Sequence, residues 1–225
     1  MEILAKSDKA TKGSSRFDDV QLVYTAEHEQ YFFLNMPLLR ERADLLSSSS
    51  NDGRPTTFIL LDQTETIVRS HFLGLLIILK LQKIEPPPEV IETIKLIAAS
   101  SESPIKLPED ITAQTLVPLS GFLLEFPVSY VPRSDSGTFL CGVALDVYEA
   151  TIVPEENCGK TNNTRDHTLL KFSSPSHLGR TYDTLAPDSI VEDLDALFRN
   201  RLESVSCSWT LRFNHTVITQ DRVAL

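Results

Sequence analysis

The sequence predicts a single α/β domain in which helices pack on a mixed β-sheet. Three observations support this fold class. A short apolar strand precedes a long apolar segment of helical length, strand-length apolar segments dominate the second half, and residues 205–214 alternate strictly between apolar and polar side chains. A period of two places the apolar set of that segment, which includes the single tryptophan, Trp209, on one buried face of a strand. We therefore expect a β-α part in the first half and an antiparallel, strand-rich part in the second.

Length and composition fit one globular domain. The chain has 225 residues, of which 41% are hydrophobic and 23% charged. A domain of this size buries roughly 70–75% of its unfolded surface and needs no disulfide or metal to fold. Residues 1–17 are predicted to form a weakly ordered arm, and residues 18–225 the domain. The 31 acidic and 21 basic residues give a net charge of -10. This charge disfavours nucleic acid and anionic membranes as partners, because affinity for phosphates depends on Lys and Arg.

Cysteine usage and hydropathy predict a cytoplasmic or nuclear protein. Cys141, Cys158 and Cys207 are an odd number without C-x-x-C spacing, which favours neither a disulfide framework nor a metal site. The first 17 residues lack the apolar core of a signal peptide. The apolar run over residues 72–79 is far shorter than the roughly 20 residues that span a bilayer. We expect no membrane contact.

The elements of the first half follow from local patterns. Two strand patterns flank the polar segment at residues 27–29, which is typical of a hairpin. Pro37 is compatible with the first turn of a helix. The segment at residues 65–83 is apolar nearly all round and favours a buried helix, which three prolines then end. The predicted elements are strands at residues 20–25, 30–35 and 56–61, helices at residues 36–46, 65–83 and 89–99, a short strand within residues 105–107, and loops at residues 47–54 and 100–118.

In the second half, turn-forming residues at 132–137 join two long strand patterns, which predicts an antiparallel hairpin. Its second strand is apolar on both faces and is therefore expected to be central. Pro127 lies in its first strand and cannot donate a ladder hydrogen bond, which predicts an edge or a bulge. Ser189 and Glu192 match a capping box at the start of a helix. The predicted elements are strands at residues 121–131, 138–153, 167–173, 205–214 and 217–225, and a helix at residues 190–203.

Asp62 is the one candidate for a catalytic residue. It ends a predicted strand just before a predicted helix, which is where the sites of open α/β sheets lie. Phosphotransferases of the haloacid dehalogenase superfamily carry a nucleophilic aspartate at such a place. In this chain Thr64 stands where those enzymes have a second aspartate, so the general acid and metal partner would be missing. We favour the structural interpretation, in which Asp62 caps the next helix.

No other motif predicts a catalytic, cofactor or metal site. The five histidines are dispersed and lack metal-binding spacing, and Ser120 is not in a G-x-S-x-G elbow. Asp146 and Glu149 lie in a strand that is apolar on both faces, where a carboxylate needs a partner. We expect Arg212 or Arg165 to pair with Asp146, or Asp146 to meet solvent near the end of the sheet. The sequence thus predicts neither a cofactor nor a metal.

Three segments together resemble a known family. They are LEFPVSYV at residues 124–131, FLCGVALDVYEATI at residues 139–152 and the ending TLRFNHTVITQDRVAL. They are similar to a small eukaryotic family of uncharacterised proteins typified by the human chromosome 1 open reading frame 74 product. The resemblance implies an intracellular eukaryotic protein and brings no site residues with it.

Three functions are consistent with these patterns. The first is a non-enzymatic protein that acts through a protein partner, which the acidic surface and the missing catalytic motifs favour. The second is a hydrolase or phosphotransferase with a site at Asp62. The third is a structural subunit whose long second-half hairpin completes the sheet of another protein.

Overall fold

The computed structural model describes residues 17–47, 56–69, 73–133, 139–140, 142–154, 166–203, 209–219 and 223–224. The predicted arm, apart from Phe17, lies outside these residues. So do most of the loop at residues 47–54, the segment at residues 204–208 and all three cysteines.

The described residues form an α/β fold, as predicted, but their strands are divided among several small sheets. The strands are β1 Val20–Thr25, β2 Gln30–Asn35, β3 Thr57–Arg69, β4 Leu73–Ile84, β5 Ile105–Lys106, β6 Val128–Pro132, β7 Phe139–Leu140, β8 Ala144–Pro154, β9 His167–Pro175, β10 Trp209–Thr219 and β11 Val223–Ala224. The helices are α1 Met36–Ser47, α2 Pro88–Ala99, α3 Ala113–Leu123, α4 Ser176–Thr181 and α5 Pro187–Leu202, with a 3-10 turn at Asp183–Leu185. The sheet orders are β2-β1-β5, β4-β3-β6, β10-β8-β9 and β11-β7.

The first hairpin and α1 are confirmed. β1 and β2 pair antiparallel from Val20 opposite Asn35 to Thr25 opposite Gln30. Asn35 then caps α1, because its side-chain oxygen accepts a hydrogen bond of 3.1 Å from the amide of Leu38. The largest hydrophobic core lies between this hairpin, α1, α2 and α3. Its fully buried members include Val23, Met36, Phe58, Val90, Ile94, Ile97, Leu107, Leu119 and Phe122.

The helix predicted at residues 65–83 is wrong. The segment forms most of the antiparallel hairpin β3–β4, which is in register from Phe58 opposite Ile84 to Arg69 opposite Leu73. A run that is apolar at nearly every position carries no period, so periodicity does not separate a buried helix from buried strands. The β-branched residues of this segment and Gly74 near the turn are the features that favour strands.

The strand predicted at residues 121–131 is also wrong in its first half. Residues 113–123 form α3, with Pro118 inside it, and β6 begins only at Val128. Pro127 therefore precedes the strand, and its carbonyl accepts a hydrogen bond of 2.8 Å from the amide of Thr57. β6 pairs parallel with β3 and not with β8, so the predicted second-half hairpin does not form.

The other second-half strands lie near their predicted places and differ in detail. One continuous strand, β10, crosses the break predicted between strands at residues 205–214 and 217–225. Gly142, at a φ of 62°, separates β7 from β8, and β8 is central as expected. α5 begins at Pro187 rather than at residue 190, and its N-cap is Ala186 rather than Ser189, with no side-chain cap, so the predicted capping box is wrong. Trp209 is only half-buried, because β10 is the edge strand of its sheet.

Glu125 ends α3 in an unusual backbone conformation. Its φ of 60° lies in the left-handed region, and the next amide, of Phe126, bonds back to the carbonyl of Gly121 at 2.9 Å. Glycine is common at this position of a helix end, because a Cβ atom disfavours the left-handed conformation. A glutamate at this position therefore adopts a conformation that its Cβ atom disfavours.

The Glu125 carboxylate connects three helices. It accepts two hydrogen bonds, of 2.6 and 3.0 Å, from Arg201 of α5, and it lies 3.6 Å from the guanidinium of Arg42 in α1. Arg42 also lies 4.2 Å above the ring of Phe122. Burial lowers the pKa of Arg42, an effect that the charge of Glu125 opposes and the charge of Arg201 reinforces. We call Glu125, Arg42 and Arg201 the Glu125 clasp.

Glu125→Gln is expected to lower the free energy of unfolding by about 1–3 kcal/mol, because it leaves two arginines, one of them largely buried, without their carboxylate. Urea unfolding measures this difference. Glu109→Gln is the matched control, since it breaks only an exposed pair with Lys106 and should leave stability unchanged. Equal stabilities of Glu125→Gln and the wild type would show that the clasp does not stabilise the fold.

Candidate functional site

Asp62 does not occupy the place that its sequence context predicts. It lies within β3, where its Cα pairs with Lys80 of β4, so no helix follows it. Asp62 therefore neither ends a strand nor caps a helix, and both predicted placements of this residue are wrong. Its carboxylate accepts a hydrogen bond from Arg133, which directly follows β6, the parallel neighbour of β3. The Arg133 side chain is 66% exposed, and the pair lies where β6 ends beside β3.

Asp146 has a partner that the sequence analysis missed. Its side chain is only 6% exposed, and its Oδ1 lies 2.9 Å from Nε2 of His215 on the neighbouring strand β10. Arg212 instead pairs with Asp166 at 3.6 Å, and Arg165 is outside the described residues. The alternation along β10 could have indicated this partner. His215 is two residues after the half-buried Phe213, so both side chains lie on the same face of the strand.

Aromatic rings surround this carboxylate–imidazole pair. His215 stacks on Tyr148 with ring centroids 5.0 Å apart, and Tyr148 stacks on Phe172 at 4.9 Å. Packed next to these rings are Ile190 and Leu194 of α5. Glu149 is on the opposite face and pairs with Lys171 at 3.4 Å. We interpret Asp146 and His215 as a structural pair that lets β8 carry a buried carboxylate under α5.

One cavity of the described structure brings several polar side chains together. This cavity of about 540 Å³ is lined by His28, Ser120, Ser129 and Tyr130 among mainly apolar residues. Its polar groups are bonded to the backbone. His28 Nε2 lies 2.9 Å from the carbonyl oxygen of Ile111, and Tyr130 donates a 3.0 Å hydrogen bond to Ser173. Burial raises the pKa of Tyr130, which keeps its hydroxyl protonated. No three metal-binding side chains cluster within the described ranges.

His215→Ala is expected to lower the free energy of unfolding by about 1–3 kcal/mol at neutral pH, because it removes a hydrogen bond from a buried carboxylate. Arg133→Ala, which breaks the more exposed pair with Asp62, should cost less than about 1 kcal/mol. Urea unfolding of the two variants side by side measures the contrast. A larger loss in Arg133→Ala than in His215→Ala would reverse the roles we assign to these two pairs.

The outward face of the first hairpin is the most distinctive surface of the described structure. Along β2, Phe32 and Leu34 are buried in the main core, whereas Tyr31 and Phe33 point outward and are 60% and 75% exposed. Across the hairpin Tyr31 stacks on Tyr24 at 6.3 Å. Leu22 lies opposite Phe33. Two large, adjacent, exposed aromatic side chains on one strand are unusual unless a partner covers them.

The same hairpin leaves a sheet edge open. β2 is the first strand in its sheet order, and among the described residues no strand pairs with its outer side. The amide of Met36 bonds to the carbonyl of Asp19 at 2.9 Å, directly beyond the last ladder pair. Because alternate residues of an antiparallel strand face the same neighbour, the even-numbered residues of β2 bond to β1. The backbone amides and carbonyls of Tyr31 and Phe33 therefore face the open edge.

Charge on this hairpin is of one sign. Residues 17–35 contain no lysine or arginine and four exposed carboxylates. Asp18 and Asp19 lie beside the C-terminal end of β2, and Glu27 and Glu29 lie at the turn before it. Lys106 of β5 lies opposite Tyr24, and Glu109 binds its ammonium group. That hydrogen bond raises the pKa of Lys106. We define the hairpin face as Leu22, Tyr24, Tyr31 and Phe33 together with these four carboxylates.

No protein-family model, curated protein or solved structure matches the chain. The resemblance to the eukaryotic family named above stays a prediction. Within the described part of the chain, no helix combines the length and apolar character needed to cross a bilayer.

Proposed function

We propose that this protein is a non-enzymatic binding module that holds a protein partner on the hairpin face. The observation that supports this most is the joint exposure of Tyr31 and Phe33 on an open edge strand. Tyrosine and phenylalanine are enriched in interface cores, where they bury a large area at a small loss of side-chain entropy. The hairpin also has a rigid base, because Phe32 and Leu34 anchor the same strand in the main core.

The structure does not provide the geometry on which the arguments for the two alternative functions relied. The hydrolase hypothesis needs Asp62 at a strand end in front of a helix, whereas Asp62 lies within β3 and binds Arg133. The structural-subunit hypothesis needs a hairpin between residues 121–131 and 138–153, whereas these segments belong to different sheets. Partner binding is supported instead by the exposed surface of the first hairpin.

Replacing both aromatic residues, as Tyr31→Ser with Phe33→Ser, is expected to weaken partner binding strongly without unfolding the protein. Substitution of exposed residues changes stability by only about 0.5 kcal/mol, whereas loss of two interface aromatics weakens binding by at least about tenfold. Quantitative affinity purification from cells, followed by reconstitution with each purified candidate, measures the effect.

Val217→Ser is the matched control, since Val217 is 60% exposed on another edge strand, β10. A partner that binds the wild type and Val217→Ser but not the double variant supports the proposal. If the double variant retains every partner of the wild type with unchanged affinity, the hairpin face is not the binding surface.

A further inference from the structure

We propose that the partner presents an extended, cationic segment that pairs as an added strand with the outer edge of β2. This inference rests on the proposed function and specifies the chemistry of the partner. It is carried by two observations on the same strand: the outward backbone groups of Tyr31 and Phe33, and the carboxylates at both ends of β2.

The backbone of β2 offers a template for strand addition. The outward amides and carbonyls of Tyr31 and Phe33 form two hydrogen-bonding positions on the open edge. An added strand would satisfy these groups and extend the order β2-β1-β5 by one strand. Its side chains on the outward side would then lie next to the rings of Tyr31 and Phe33, since paired strands share their faces.

The charges select a cationic segment. Asp18 and Asp19 lie at one end of β2, and Glu27 and Glu29 at the other. An acidic segment would bring like charges together in a protein whose net charge is already -10. Lys and Arg side chains at the ends of the added strand would meet these carboxylates. Their stems and cationic groups would also pack on Tyr31 and Phe33, because aromatic faces attract cations.

The length of β2 fixes the spacing of the cations. The strand has six residues, so its ends lie about 17–20 Å apart at the rise of an extended chain. Two cations separated by six positions span about 20 Å and project to the same face. The expected partner segment therefore has seven residues, with cations at its first and seventh positions and apolar residues at its third and fifth. Any residue type can occupy the positions between them.

A second copy of this chain fits the edge less well. Pairing β2 with β2 around a twofold axis would place the carboxylates of each hairpin beside those of the other. Like charges in such positions oppose association. Self-pairing is therefore the competing outcome that the experiment must separate from the cationic strand.

The test uses the full chain and a fluorescent probe peptide, Arg-Thr-Val-Thr-Val-Thr-Arg, in anisotropy titrations at low and high salt. The same peptide with glutamate in place of both arginines is the charge control. In one further peptide the valines carry backbone N-methyl groups, and in another the threonines do. Each of these two peptides therefore lacks the amide N–H groups of one alternate set of residues.

We expect the arginine peptide to bind at least about tenfold more tightly than the glutamate peptide, and we expect high salt to reduce this difference in affinity. One N-methylated peptide should bind like the parent, and the other should lose about tenfold or more, because only one set of amides faces β2.

Protein variants locate the charge effect. The triple change Asp19→Asn, Glu27→Gln and Glu29→Gln should weaken the arginine peptide about tenfold at low salt. The control is Glu92→Gln, Asp188→Asn and Glu203→Gln, which removes three exposed carboxylates elsewhere and should have a much smaller effect.

Several results would overturn the inference. They are absence of binding by the arginine peptide, equal binding of the glutamate peptide, equal effects of the two N-methylation patterns, or a concentration-dependent dimer that Phe33→Ser dissociates in sedimentation. If partners captured from cells survive the triple charge change but not Tyr31→Ser with Phe33→Ser, the cationic strand is wrong and the proposed function stands. If they survive both sets of changes, both proposals fail.

Discussion

The antiparallel register of β1 and β2 is the constraint on which both the main core and the proposed binding surface depend. A side-chain period of two sends Phe32 and Leu34 inward, where they complete the core with α1, α2 and α3. The same period sends Tyr31 and Phe33 outward. A slip of one residue would exchange the two sets, exposing Phe32 and Leu34 and burying Tyr31 and Phe33. The register is therefore fixed by the burial of one face, and the other face is the surface proposed to bind a partner.

The Glu125 clasp adds a second constraint, at the point where the main core meets the C-terminal helix. α1 contributes to the largest hydrophobic core, whereas α5 packs on Tyr148 and Phe172 in a separate hydrophobic cluster. Glu125 reaches both helices from the end of α3. The left-handed backbone at Glu125 costs free energy, and the charge-assisted hydrogen bonds to Arg201 offset it. Arg42 and Arg201, which are far apart in the sequence, thus contact the same carboxylate in the folded protein.

What the sequence could predict depended on how local the determining signal was. The first hairpin was predictable because its alternation, turn and helix start all lie within residues 20–37. Residues 65–83 and 121–131 were not, because a uniformly apolar run has no period and because Phe122, Leu124 and Phe126 imitate a strand at the end of a helix. Asp62 was misplaced as a consequence of the first error. The partner of Asp146 needed the pairing of β8 with β10, a contact across 69 positions. The sequence shows that Tyr31 and Phe33 lie on one face of β2 and that Phe32 and Leu34 lie on the other. Only the packing of α1, α2 and α3 shows which of these two faces is buried.

Amide hydrogen exchange along β2, read residue by residue by NMR, tests the open edge most directly. The amides of Phe32 and Leu34 face β1 and should exchange slowly, whereas those of Tyr31 and Phe33 should exchange quickly in the free protein. Slow exchange at all four positions would show that the outer edge of β2 is already paired, and it would contradict the surface on which the proposed function depends.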